Sequence, residues 1–135
     1  MTMLFYLKLY LLTIPVFFAI DLLWLGVVAK DLYQKNLAHL LSPEVNWPAA
    51  FAFYFMYIAG IILFAVKPGL DAQSLAKAAL WGALFGFFTY ATYDLTNLAT
   101  LRDWPLGIVV IDIAWGTLLC TSVASGSYLI GRWLG

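Results

Sequence analysis

The strongest constraint on this chain is a set of four apolar stretches, residues 9–28, 49–66, 78–98 and 106–130, parted by short polar turns. Each is close to the ~20 residues a helix needs to cross ~30 Å of hydrocarbon. Backbone groups in lipid must be satisfied within their own segment, so the stretches are predicted to be helices. The fold class this predicts is all-α: an integral membrane four-helix bundle with antiparallel neighbouring spans, forming a single domain over residues 1–135. Composition points the same way, with 64% hydrophobic and 10% charged residues, more apolar side chain than a soluble domain of this length can bury. Seven basic residues against seven acidic ones leave no positive field, which excludes nucleic acid and makes the lipid bilayer the expected partner. Cys120 is the single cysteine, so neither an intramolecular disulfide nor a cysteine metal site is expected. The first apolar run continues through Pro15 and Asp21 with no small-residue cleavage site, and so reads as a retained span.

The turns carry the orientation. Lys30-Asp31, Lys67-Pro68-Gly69, Arg102-Asp103-Trp104-Pro105 and Gly131-Arg132 close the four stretches, and Trp47, Trp104 and Trp133 fall at predicted interfaces. An even number of crossings puts both termini on one side. That side holds Lys8, Lys67, Lys77 and Arg132 against Lys30, Lys35 and Arg102 opposite, so positive-inside assigns the termini to the cytoplasm. In the longest loop, residues 31–41 place apolar side chains at 33, 37, 40 and 41, before Ser42-Pro43. This spacing suits a short amphipathic helix, lying in the interface or extending the first span. His39 stands there alone and reads as an interfacial histidine, because acid–base work needs a positioned partner.

Against this apolar background three aspartates stand out: Asp21, Asp94 and Asp112. An ionisable residue inside a span costs roughly 2.5–3.5 kcal/mol on the lenient insertion scale. Counting from the neighbouring turns at 1.5 Å rise per residue, all three lie roughly 10–12 Å from the same interface. Other polar and aromatic groups share that depth. Tyr90, Asp94 and Asn97 occupy one helix face, Trp24 and Trp115 follow Asp21 and Asp112 by three residues, and Tyr54 and Tyr57 reach the level from the second span. These nine residues form the candidate ligand- or proton-binding site, with catalytic roles and cofactors left unassigned and no metal assigned. Toward the termini the character changes. Gly82 and Gly86 make a GxxxG pattern, and Ser122, Ser125, Gly126, Ser127 and Gly131 supply small residues for close helix packing.

Three carboxylates at one level cannot all ionise without counter-charge, and no Lys or Arg shares the layer. The neutraliser is then a proton or a cation: the three acids with Asn97 offer oxygens to a metal ion, the indole and phenol faces suit an organic cation, and a lipid headgroup is a further candidate ligand. The leading expectation is a multi-pass protein whose carboxylate–aromatic site binds or moves a proton or cationic ligand. Four short spans leave little room for a permeation path, so transport points to a homodimer. Two alternatives stay open: a membrane-embedded enzyme using Asp acid/base chemistry on a lipid or isoprenoid, and an accessory or assembly subunit whose buried acids are structural.

The strings Asp21-Leu22-Leu23-Trp24-Leu25-Gly26, Tyr93-Asp94-Leu95-Thr96-Asn97-Leu98-Ala99-Thr100 and Asp112-Ile113-Ala114-Trp115-Gly116 resemble a small bacterial four-span family. It is catalogued as a domain of unknown function and described as predicted membrane protein. The resemblance covers essentially the whole chain. It implies bacterial origin, an inner (cytoplasmic) membrane address and one compact domain, and it brings no activity with it.

Overall fold

Side-chain caps set the helix starts in the computed structural model, which describes all 135 residues. Helix α1 (Met3–Val28) begins where the Thr2 hydroxyl accepts from Phe5 N at 3.1 Å. It runs through Pro15 and loosens into a π-helical turn over Trp24–Val28. Helix α2 (Lys30–Leu37) follows directly. Helix α3 (Trp47–Asp71) is capped by Asn46 on Ala49 N at 3.2 Å. Pro48 fits its first turn, where its missing N–H has no intrahelical use. Helix α4 (Leu75–Thr100) is capped by Ser74 on Lys77 N at 3.1 Å, and α5 (Leu106–Leu134) starts after Pro105.

The chain therefore has five helices, which corrects the four-helix bundle predicted from the apolar runs. Three of them, Met3–Val28, Trp47–Asp71 and Leu106–Leu134, are long and apolar enough to cross a membrane, so the number of such spans is three where four were predicted. The additional helix is α2. Helix α4 has the length, at 26 residues, but Lys77, Asp94, Asn97 and a series of threonines dilute its apolar character. Those threonines are not left unbonded. The hydroxyls of Thr89, Thr92, Thr96 and Thr100 each donate to the carbonyl four residues earlier, which satisfies them without any partner helix. Two stops also act differently from the reading above. Helix α3 passes through Lys67-Pro68-Gly69 and ends with a Lys67–Asp71 ion pair at 2.8 Å, and α5 passes through Gly131-Arg132 to Leu134.

Glycines bring α4 against α5. A Cβ on Gly82 would lie 2.7 Å from the Cys120 carbonyl, and one on Gly86 would collide with the Gly116 carbonyl. Since Gly82 meets Ala124 while Tyr90 meets Gly116, the two helices run antiparallel. Helix α1 also lies antiparallel to α5, with Thr13 Oγ1 and Ser127 Oγ 2.8 Å apart and both side chains fully buried. Phe5 comes within 4.0 Å of the Cβ position of Gly135, so both termini share one end of the molecule.

That end has a core of Leu9, Phe17, Ile58, Ile61, Leu119 and Val123, with an open groove between α1 and α3 lined by Met3, Tyr6, Tyr10, Ala59, Ile62 and Lys67. The opposite end holds a smaller cluster of Leu37, Trp104, Ile108 and Val109, against which Leu32 and Tyr33 of α2 pack. Large apolar side chains such as Leu22, Met56, Phe64, Phe88 and Leu118 point outward, as a lipid-facing surface requires. A cavity lies between the two clusters.

Candidate functional site

The cavity has a volume of about 450 Å³ and is lined by 15 residues, 11 of them hydrophobic. Asp21, Asp94 and Asp112 all line it, and no Lys or Arg does. The three acids come from α1, α4 and α5, so the bundle itself gathers them. They are 4%, 0% and 8% exposed. The only ion pair of the protein, Lys67–Asp71, is at the terminal end of α3 and contributes no charge here.

The acids differ in how the protein meets them. Asp112 Oδ1 accepts from the Tyr33 hydroxyl at 2.7 Å, a well-formed O–H···O bond. Tyr33 in turn accepts from Trp24 Nε1 at 3.2 Å. Burial, and then its bond to Asp112, push the Tyr33 hydroxyl above the ordinary tyrosine range, so it stays a donor. Asp21 Oδ1 receives only a long 3.4 Å bond from Trp115 Nε1, and Tyr54 sits beside it. Asp94 faces Asp112, yet neither of its oxygens has a hydrogen-bond partner in the protein.

Aromatic rings build the walls. Trp24 stacks on Trp115 with centroids 4.5 Å apart and planes 8° from parallel. Asp21 and Asp112 thus do not pair with the indoles three residues along their own helices; each of these two takes a donor from another helix. Tyr57 bonds to Thr89 Oγ1 at 2.7 Å and to Cys120 Sγ at 3.1 Å. Because Thr89 donates to Phe85 O at 2.7 Å, it accepts from Tyr57. Tyr90 packs over Gly116, whose missing side chain makes room for its ring.

Of the nine residues singled out from the sequence, Asp21, Tyr54, Tyr57, Tyr90, Asp94, Asp112 and Trp115 line the cavity. Trp24 stands behind Trp115, and Asn97 is half-buried outside the lining. Four polar side chains of the lining, Tyr33, Thr89, Tyr93 and Trp104, are not among the nine; Thr89 and Tyr93 come from α4 itself. Tyr33 comes from α2, and its signal was present: it lies on the apolar side of the loop periodicity. Trp104 was placed in an interfacial belt, but it is only 9% exposed and turns into the cavity. The turn before it explains the difference. Asp103 has φ 58°, a left-handed conformation that aspartate tolerates, and His39 Nε2 lies 3.1 Å from its carbonyl. Trp47 and Trp133, by contrast, are exposed.

The chain is thus a multi-pass membrane protein with an intramembrane carboxylate–aromatic site, held by the Asp21–Trp115 and Asp112–Tyr33 bonds between helices. No group of three or more His, Cys, Asp and Glu side chains is arranged to hold a metal ion. Residues 6–129 match the model of a family described as predicted membrane protein, DUF2177. No curated protein and no solved structure matches the chain.

Proposed function

The chain belongs to the DUF2177 family of predicted membrane proteins, and for it we propose cation binding in exchange for protons at the carboxylate–aromatic cavity. One observation carries the reading: Asp94 is fully buried in the cavity wall, beside Asp112, with both oxygens unpartnered. Two adjacent carboxyls and a third across the cavity need positive charge, and no basic side chain lines the space. A proton neutralises the empty site; a cation replaces it when ligand binds. Volume supports an organic ligand, since about 450 Å³ lies within the range of small-molecule pockets. The ring faces of Tyr54, Tyr57, Tyr90 and Trp115 add cation–π attraction, worth ~2 kcal/mol or more where water is excluded.

The site residues proposed are Asp94 and Asp112 as counter-ions, Asp21 as the third acid, and these four aromatics as the cage. Trp24 acts by supporting Trp115. Asn97 is proposed as a polar residue near the Asp94 end of α4, outside the lining. The core of Leu9, Ile61, Leu119 and Val123 stands between the cavity and the terminal end, and a homodimer is proposed for any passage right through the membrane. Four basic residues at the terminal end against three at the other support termini in the cytoplasm, and the proposed location is a bacterial inner membrane.

The test is titration of purified protein in detergent with hexylammonium, in weakly buffered solution with a pH indicator. Saturable binding with proton release is expected. Asp94→Asn should weaken it by about 30-fold or more, as removal of one partner of a buried charge pair does, while gel filtration and helicity stay unchanged. Equal binding to wild type and Asp94→Asn, or none to either, refutes the reading.

A further inference from the structure

Two buried polar side chains in the cavity lack a partner within the protein, and they are of opposite kind. Asp94, 0% exposed, carries two acceptor oxygens and Trp104, 9% exposed, an indole N–H, and all three atoms are closed off from water. Both line the same space. Folded proteins leave few such groups unmet, and those that persist point to a role. A ligand that satisfied only one of them would leave the other buried and unbonded.

The number of free valences restricts the ligand further. Asp94 offers two oxygens, so a cation bearing N–H groups fills both, whereas a quaternary ammonium fills neither. An indole donates one hydrogen bond and accepts none, so the ligand must bring an acceptor to Trp104. Trp104 belongs to the cluster at the α2 end, and Asp112, which Asp94 faces, lies further down α5. The amine therefore points into the bundle and the acceptor toward its α2 end. Eleven of the 15 lining residues are hydrophobic, which suits an apolar remainder.

We infer that the site takes an amphiphilic N–H-bearing amine that also carries an oxygen acceptor, the amine on Asp94 and the oxygen on Trp104 Nε1. This deepens the cation-binding reading and rests on it. The chemistry is that of an amino ether, amino alcohol or amino ester, and it is met both by free amines and by an amine-bearing lipid headgroup.

The test compares three probes of similar size on the intact protein in detergent: hexylammonium, propoxyethylammonium, in which one methylene is replaced by oxygen, and trimethylhexylammonium. Propoxyethylammonium is expected to bind about tenfold more tightly than hexylammonium, despite being less apolar, and trimethylhexylammonium about tenfold more weakly. In Trp104→Phe the first preference should vanish or reverse while hexylammonium binding is retained. Equal or weaker binding of the ether amine to wild type overturns the inference, even if the variant fails to fold. Asp94-dependent binding of hexylammonium in that same outcome would leave the cation reading standing; loss of all amine binding would remove both. Repeating the titration in phosphatidylethanolamine and phosphatidylcholine nanodiscs separates the sources. Competition in the former alone assigns the headgroup, and equal binding assigns a free amine.

Discussion

Tyr33→Phe is the most revealing single substitution, because one oxygen atom joins three helices. The Tyr33 hydroxyl donates to Asp112 Oδ1 at 2.7 Å and accepts from Trp24 Nε1 at 3.2 Å. Phenylalanine keeps the ring, which meets Trp24 edge-on at 6.4 Å and 77°, so packing is largely conserved. What goes is one bond to a carboxylate, about 1.5–3 kcal/mol, and one neutral bond of about 0.5–1.5 kcal/mol. The site is half-buried on the Tyr33 side, so the lower half of the sum, about 2–3 kcal/mol, is the working figure. These bonds tie α2 to the bundle, and the loss should fall on α2 locally. Amide exchange in Lys30–Leu37 is expected to quicken by about 25- to 150-fold, with little change in α4 and α5. A double-mutant cycle with Asp112→Asn isolates the bond, and coupling of about 1–3 kcal/mol is expected. Unchanged exchange in α2, with coupling inside the usual error of about 0.5 kcal/mol, would show that α2 is held by Leu32 and Leu37 packing alone and would refute the argument.

Two further outcomes follow from the same structure. Gly86→Leu should abolish folded protein, since even a Cβ there meets the Gly116 carbonyl, while Gly107→Ala, in the first turn of α5 with nothing within 4 Å, should leave the melting temperature unchanged or slightly raised; thermal unfolding of both variants checks the pair. The upward push on Tyr33 means that the folded state keeps a proton that the unfolded chain loses near pH ~10. Its contribution to stability is therefore full below that pH and falls as pH rises beyond it. Melting curves across the alkaline range should decline less steeply in Tyr33→Phe than in wild type.

Several elements of this molecule were legible in the chain because they depend on counting. Depth along a helix follows from distance to a turn, and Asp21, Asp94 and Asp112 do line one cavity. The amphipathic spacing after the first apolar run does form a helix, Lys30–Leu37. What counting could not supply was direction around the axis or across the bundle. Trp24 and Asn97 have the right depth, yet one supports Trp115 from behind and the other sits outside the lining. Tyr33 and Trp104 enter through backbone turns, at Ala29 and at left-handed Asp103, whose angles no periodicity encodes. The span count failed for a related reason. Breakers at both ends made residues 78–98 look like a crossing, but the polar side chains of α4 leave it short of the apolar character that the other three long helices have.

The polarity that sets α4 apart also decides between a functional and a structural Asp94. A carboxyl kept for helix packing should have its oxygens bonded to neighbouring helices, as Thr13 and Ser127 are to each other. Asp94 takes no donor from any other type of side chain and faces only a second acid, Asp112, while fully buried. An unmet buried polar group costs about 1–3 kcal/mol, so for stability alone an apolar residue is preferable at this position. Asp94→Leu has room, because the side chain borders the 450 Å³ cavity. The expected result is a protein more stable by up to that amount and unable to bind amines, the signature of a residue retained for function at the expense of the fold. If Asp94→Leu instead lowers stability by about 2 kcal/mol or more in thermal or denaturant unfolding, the carboxyl holds the helices together and the ligand site must be sought among Asp21 and Asp112.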